Sequence, residues 1–105
     1  MAKSSIKIRA KEGKKGVVTF KALISHPMET GLRKNKNTGK NIPAHFIEEV
    51  TVESEGAQVM TAYWSGGVSK NPYVSFKYLG KRGDEVKLSW VDNMGKGDEA
   101  FAKVR

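Results

Sequence analysis

Apolar and polar residues alternate with a period of two along most of this chain, a pattern typical of β-strands with one face against a core. In the first such segment Ile6 and Ile8 alternate with Lys7 and Arg9. Further strands are predicted at residues 18–24, 46–54, 57–64, 73–79, 85–92 and 99–104. Glu55 and Gly56 are the predicted turn of a hairpin, and no segment has a sustained helical period.

Seven short, regularly spaced strands without helices predict an all-β fold, an immunoglobulin-like antiparallel β-sandwich. Trp90 shares its alternation phase with Val86 and Leu88, so we expect it to be a core residue. The aromatic residues of strand 73–79 are also expected in the core, which argues against their use as a stacking platform. The chain has no cysteine, so the likeness to antibody domains is architectural only.

The composition is that of one folded domain spanning residues 1–105, with 38% hydrophobic and 29% charged residues. No apolar run approaches the roughly 18 residues of a membrane-spanning helix, so membrane insertion is not expected. The first ten residues lack the apolar segment of a secretory signal, which by itself points to the cytoplasm. The absence of cysteine excludes disulfides, thiolate nucleophiles and cysteine-bound metals.

The formal charge of +8 is concentrated in the first 40 residues, which hold eleven Lys and Arg against Glu12 and Glu29. This asymmetry favours an acidic partner or an anionic ligand, and a solvated basic face explains it equally well. No RNA-recognition, KH or helix-turn-helix pattern is visible, so nucleic-acid binding is not expected.

The segment between residues 24 and 50 interrupts the strand pattern and holds both histidines. His26 and His45, with Met28 or Glu29 nearby, fall short of the three or four ligands of a usual metal site. Ser25 is the sequence neighbour of His26, so their side chains point to opposite faces and cannot form a nucleophile and base. We therefore expect no enzymatic activity, no metal and no cofactor.

The same segment resembles the signature of the SoxZ family, the sulfur-oxidation subunits that pair with SoxY. The residues that carry the resemblance are KALISHPMETG at 21–31, Arg33, Gly39 and IPAHFI at 42–47. Asn71, Pro72 and Tyr73 before a strand, and Trp90 with Asp92 near the end, match as well. The resemblance spans residues 6–104.

The resemblance implies a non-catalytic partner protein with an immunoglobulin-like fold. SoxZ proteins bind SoxY, whose C-terminal Gly-Gly-Cys-Gly-Gly arm carries sulfur intermediates and presents them, through transient docking, to the other sulfur-oxidation enzymes. A chain without cysteine fits this role because a second thiol beside the arm could capture its cargo by exchange. The resemblance also implies a periplasmic location, reached by export together with SoxY, and reverses the cytoplasmic expectation.

The candidate partner-binding residues lie in the motif segment: His26, Met28, Glu29, Thr30, Arg33, Phe46 and Ile47. Met28 and Phe46 offer adaptable apolar contacts, while Arg33 can pair with a carboxylate in a fixed fork. Two alternatives remain open at the level of sequence. The segment can be a rigid structural crossover without partner contacts, or the basic first third can make the chain a small-anion or acidic-protein binding module.

Overall fold

In the computed structural model, which describes residues 5–105, the alternating segments form seven β-strands. The strands are β1 (Ile6–Glu12), β2 (Val17–Ile24), β3 (Ile47–Ser54), β4 (Ala57–Tyr63), β5 (Tyr73–Leu79), β6 (Glu85–Asp92) and β7 (Gly97–Lys103). A short 3-10 turn, Lys14–Gly16, joins β1 to β2. The predicted domain range and the predicted absence of a signal segment both include residues 1–4, which lie outside the described part of the chain.

The strands form two antiparallel sheets that pack face to face. One sheet has the order β1-β2-β5, and the other has the order β4-β3-β6-β7. The predicted all-β, immunoglobulin-like sandwich is confirmed, with β4 on the edge of the larger sheet beside β3 rather than beside β5. Within residues 5–105 no helix is long and apolar enough to cross a membrane.

The core lies between the sheets and is built from the inward phase of each strand. Its largest fully buried side chains include Phe20, Ile24, Ile47 and Leu88. Burial of each such side chain stabilises the fold by about 1.5–3 kcal/mol, so these strands are held mainly by packing. Trp90 is 8% exposed, which confirms its predicted place in the core.

The aromatic residues of β5 divide between the two faces of the sheet. Phe76 and Tyr78 are partly buried, and Phe76 packs on Phe20 with ring centroids 4.9 Å apart. Tyr73, in contrast, is 58% exposed, so its predicted core position is wrong. The reason is its phase: Val74 takes the inward position at this end of β5.

A tight turn and a close contact between two strands require glycine at Gly56 and Gly97. Glu55 and Gly56 have φ values of 51° and 81°, the left-handed pair that a two-residue hairpin requires, and the predicted β3–β4 hairpin is confirmed. Strand β7 starts at Gly97 rather than at residue 99. Its backbone lies so close to β6 that a Cβ there would be 2.5 Å from the Trp90 carbonyl oxygen.

Three connections gather at one end of the sandwich, where β2, β4 and β6 end and β3, β5 and β7 begin. We call this the loop end and define it as residues 25–46, 64–72 and 93–96. The long predicted interruption forms most of it. An isolated β-bridge between Glu29 and His45 holds the two ends of this segment together. A second β-bridge, between Lys34 and Asn41, closes a projecting turn.

Candidate functional site

A buried carboxylate, Asp92, lies at the centre of the loop end. Asp92 is the last residue of β6 and shares the inward phase of Trp90, so its side chain enters the sandwich and is 4% exposed. Its Oδ2 accepts from His26 at 3.1 Å and from His45 at 2.8 Å. Its Oδ1 accepts the backbone N–H groups of Met94 at 3.0 Å and Lys96 at 2.9 Å. Four donors therefore satisfy a carboxylate that would otherwise be costly to bury.

The hydrogen-bond network assigns the tautomer of His26. The Met28 backbone N–H donates to His26 Nδ1 at 3.1 Å, so Nδ1 is an acceptor and the ring proton is on Nε2, facing Asp92. The His26 ring is buried and packs edge-on against Trp90 and His45, with centroids 5.1 and 4.5 Å away. His26 is thus a fixed donor inside the fold rather than an exposed base.

These contacts also fix the charge of Asp92. Burial raises the pKa of Asp92, but the hydrogen bonds from His26, the Lys96 N–H, His45 and the Met94 N–H outweigh it and lower the pKa from 3.8 to about 2. The carboxylate is therefore ionised at neutral pH. It acts as an anionic pin that holds the two histidine-bearing segments and the β6–β7 turn together.

His26, His45 and Asp92 have the donor types of a metal site, and their ligand atoms all lie within 4.8 Å of one another. A cation bound to His26 Nε2 would require the proton on Nδ1, where it would face the Met28 N–H. The geometry thus favours a hydrogen-bonded cluster over a metal centre. The convergence itself was not predicted: the phase of Asp92 with Trp90 indicates that its side chain points inward, but nothing in the sequence indicates that it meets both histidines.

Neighbouring backbone contacts extend the cluster to a fourth segment. Asn71 Oδ1 accepts the His26 N–H at 3.0 Å, and the Asn71 N–H donates to the His26 carbonyl at 3.0 Å. Asn93, next to Asp92, is bonded to both the N–H and the carbonyl of Phe46. Residues that carry the family resemblance in three separate parts of the sequence therefore meet at one place.

The candidate partner-binding residues divide into buried and accessible groups. His26, Met28 and Ile47 are 4%, 5% and 0% exposed, and the Ile47 N–H donates to the Met28 sulfur at 3.4 Å. Side chains this deeply buried can contact a partner only if the loop rearranges, so in this structure they support the loop from within. For these three of the seven residues, burial favours the structural-crossover alternative.

Glu29, Thr30, Arg33 and Phe46 are at least partly accessible. The Arg33 side chain is 65% exposed and forms a two-pronged ion pair with Glu29 four residues earlier. This ion pair lowers the pKa of Glu29 and raises that of Arg33 through the shared hydrogen bonds. Both groups are therefore charged and held at the surface, where the predicted contact role remains open to them.

The exposed large apolar side chains of the described residues are concentrated in the loop end and at the strand ends next to it. Six of the eight lie in the loop end or within two residues of it: Leu23, Leu32, Tyr63, Tyr73, Val91 and Met94, with Leu32 81% and Tyr63 78% exposed. The other two, Leu79 and Phe101, lie away from it. Apolar groups concentrated at one end of a folded domain are a mark of an interaction surface.

Comparison with known proteins identifies a family and a fold. The family model described as "Sulphur oxidation protein SoxZ" matches residues 6–103. Among curated proteins, none matches the chain. Among solved structures, the chain is similar to a superoxide reductase (neelaredoxin) from Ignicoccus hospitalis, with a TM-score of 0.67 and 18% identity over 97% of this chain and 79% of that one. At this identity the structural likeness shows the sandwich fold alone.

Proposed function

Because the chain belongs to the SoxZ family, we propose that it is the non-catalytic subunit of a sulfur-carrier complex and binds a SoxY-like chain through the loop end. The chain has a role in the sulfur-oxidation Sox system by its family. The proposal adds the partner, whose cysteine-bearing arm holds the sulfur, and a division of labour in which this chain provides structure but no reactive group. The observation that carries it is the family match over residues 6–103.

Three features of the loop end support its use as the partner surface. Its exposed apolar residues, led by Leu32 at 81% exposure, offer area that is released from water on binding. The Asp92 cluster fixes the surrounding loops before any partner arrives, so less ordering entropy is lost on association. Arg33 and Glu29 add a charged rim that can align the partner.

The same proposal extends to location and to later partners. We propose that the chain reaches the periplasm together with its SoxY-like partner. There the complex docks transiently on the enzymes that load and oxidise the bound sulfur. The absence of cysteine supports this role, because the carrier arm then meets no competing thiol on its own subunit.

The test is co-expression with a SoxY-like chain, followed by calorimetry on the purified components. We expect a 1:1 complex, and we expect Leu32→Asp to weaken it at least about tenfold, or about 1.4 kcal/mol. Leu79→Asp is the matched control, because Leu79 has the same 81% exposure as Leu32 but lies at the end of β5 that is far from the loop end. Equal losses in the two variants would remove the loop end from the interface, and sulfur transfer by the isolated chain would refute the non-catalytic role.

A further inference from the structure

The basic residues of the first third do not form one patch in the folded chain. One group projects from the outer face of the β1-β2-β5 sheet, and another lies in the projecting turn of the loop end. We define the basic sheet face by the positively charged outward residues of the three strands: Lys7, Arg9, Lys11, Lys21 and Lys77. The second group, which includes Lys34, Lys36 and Lys40, is separate from it.

The register of the sheet packs the five charges closely. Arg9 is paired with Lys21 across β1 and β2, and Lys77 of β5 lies opposite Thr19, which in turn pairs with Lys11. With strands about 4.8 Å apart and a rise of about 3.4 Å per residue, the charges occupy about 14 by 10 Å. Neighbouring charges thus lie within the Debye length of about 8 Å at physiological salt, and their fields add.

One acidic side chain, that of Glu12 at the end of β1, lines a cavity with Arg9, Lys11 and Lys21, and its single charge offsets only part of the five positive charges. The outward positions of β1, β2 and β5 contain no Asp or Glu, and within residues 5–105 none of the five cations takes part in an ion pair. The outer face of the other sheet has the opposite balance, with Glu49, Glu53, Glu85 and Glu99 against two lysines. The sandwich is therefore electrically polarised from one face to the other.

Directly opposed like charges, such as Arg9 and Lys21, are locally destabilising, so the arrangement has a cost in the isolated chain. Protection of a sheet edge with lysine does not explain it, because Lys21 is on the central strand β2. A partner that brings negative charge removes the repulsion. The arrangement is therefore suited to a bound state.

The chemistry of the face favours a protein partner over a nucleic acid. Tyr73 is the one aromatic residue at the outward positions of the three strands, so successive bases have no stacking platform. The hydroxyls of Thr19 and Ser75 lie among the cations. A cationic face with polar side chains between the charges suits a protein partner that presents complementary carboxylates.

We propose that the basic sheet face is a second docking surface, separate from the loop end, for a folded protein that presents clustered carboxylates. Electrostatic steering of this kind raises the association rate and weakens with salt, as suits brief encounters. The inference goes beyond the proposed function, because it concerns a face that the loop-end partner does not need.

The test compares two triple charge reversals with the same total charge. Lys7→Glu, Arg9→Glu and Lys21→Glu change the face, while Lys34→Glu, Lys36→Glu and Lys40→Glu change the projecting turn. Each set removes six units, which takes the net charge from +8 to +2. The probe is a fluorescein-labelled oligoglutamate peptide, followed by anisotropy at rising salt. We expect the face variant to lose at least about tenfold in affinity and the turn variant to lose less than about threefold.

Four results would overturn the inference: no peptide binding by the wild type, equal losses in both variants, tighter binding of an oligothymidine of equal charge, or co-sedimentation with phosphatidylglycerol vesicles in preference to the peptide. Self-association of the wild type through its two opposite faces, seen by sedimentation and abolished in the face variant, would also overturn it. If the reversals prevent folding, glutamine at the same positions gives the same comparison.

Calorimetry with the SoxY-like chain separates this inference from the proposed function. We expect the face variant to keep its affinity for that chain within about threefold, since its loop end is unchanged. A face variant that loses both ligands would show one surface rather than two and would contradict the inference. Absence of SoxY binding in the wild type would count against the proposed function alone.

Discussion

The replacement Asp92→Asn tests the centre of the loop end, because it keeps the shape of the side chain and removes its charge. The amide oxygen of Asn can still accept the backbone N–H groups of Met94 and Lys96. Its NH2 group, however, then faces the Nε2–H of His26. His26 cannot reverse its tautomer, since its Nδ1 already accepts the Met28 N–H.

The size of the effect follows from two contributions. A pKa of about 2 in place of 3.8 is nearly two units, and at about 1.36 kcal/mol per unit it favours the ionised over the neutral carboxyl by about 2 kcal/mol. The second contribution is the buried donor of His26 left without an acceptor, which costs about 1–3 kcal/mol. The two contributions overlap, because the His26 hydrogen bond is the largest cause that lowers the pKa of Asp92. We therefore expect Asp92→Asn to lower the free energy of unfolding by about 2–3 kcal/mol at neutral pH.

Urea unfolding followed by tryptophan fluorescence measures this loss, and its pH dependence provides a second check. Because the folded-state pKa of Asp92 lies below the unfolded value of 3.8, the stabilisation is fully present above that value and is lost as the pH falls through about 2. The gap between wild type and variant should therefore narrow over this range.

Asp84→Asn is the matched control at the other end of the sandwich. Asp84 is also buried, at 8% exposure, but its Oδ2 accepts the backbone N–H of Lys81, a bond that an amide oxygen can replace. We expect a loss below about 1 kcal/mol there. Two results would refute a stabilising role of the Asp92 carboxylate. One is a loss of unfolding free energy below about 1 kcal/mol for Asp92→Asn, and the other is a difference between wild type and variant that does not change as the pH falls to about 2.

Three further predictions concern the residues around this centre. His26→Ala should lower the free energy of unfolding in urea by about 3 kcal/mol and His45→Ala by about 1 kcal/mol. Water can replace the ring of His45, whose side chain is 27% exposed, but not the buried ring of His26, and the reverse order would contradict this account. Gly97→Ala should lower the free energy of unfolding by at least about 2 kcal/mol, because its Cβ would lie 2.5 Å from the Trp90 carbonyl oxygen. The control Gly67→Ala, whose Cβ would have its nearest neighbour at 3.6 Å, should change it by no more than about 0.5 kcal/mol. Equal melting temperatures for the two variants would show that β6 and β7 can move apart without cost. Arg33→Ala should weaken SoxY binding at least about fivefold in calorimetry without lowering the melting temperature, as expected for a 65% exposed side chain, and unchanged binding would exclude it from the interface.

The alternation of residue types was sufficient to predict the strands and the sandwich, because each strand has one buried and one exposed face. The same alternation also indicates where the side chains of Asp92 and Tyr73 lie. Asp92 is in phase with Trp90, so the pattern predicts that its carboxylate points into the core and accepts hydrogen bonds there. Tyr73 is in phase with Ser75 and Lys77, which already indicated its exposure.

The loop end could not be predicted in the same way. Residues 25–46 have no regular period, so the burial of Met28 gave no sign in the sequence. The meeting of His26 with Asp92 depends on how the two sheets pack, which is set by the whole fold. The separation of the basic residues into a sheet face and a turn has the same origin, since the chain leaves β2 before it reaches Lys34.

The Asp92 contacts have a consequence for the order of events during folding. Asp92 lies 66 positions from His26 and 47 from His45 in the sequence, and the neighbouring bond between His26 and Asn71 joins residues 45 positions apart. Contacts of such long range form slowly and late, after the local hairpins, because large chain loops must close first. We therefore expect a newly made chain to complete the proposed partner surface only when the rest of the domain is in place, so that an unfinished copy would lack the surface needed for assembly.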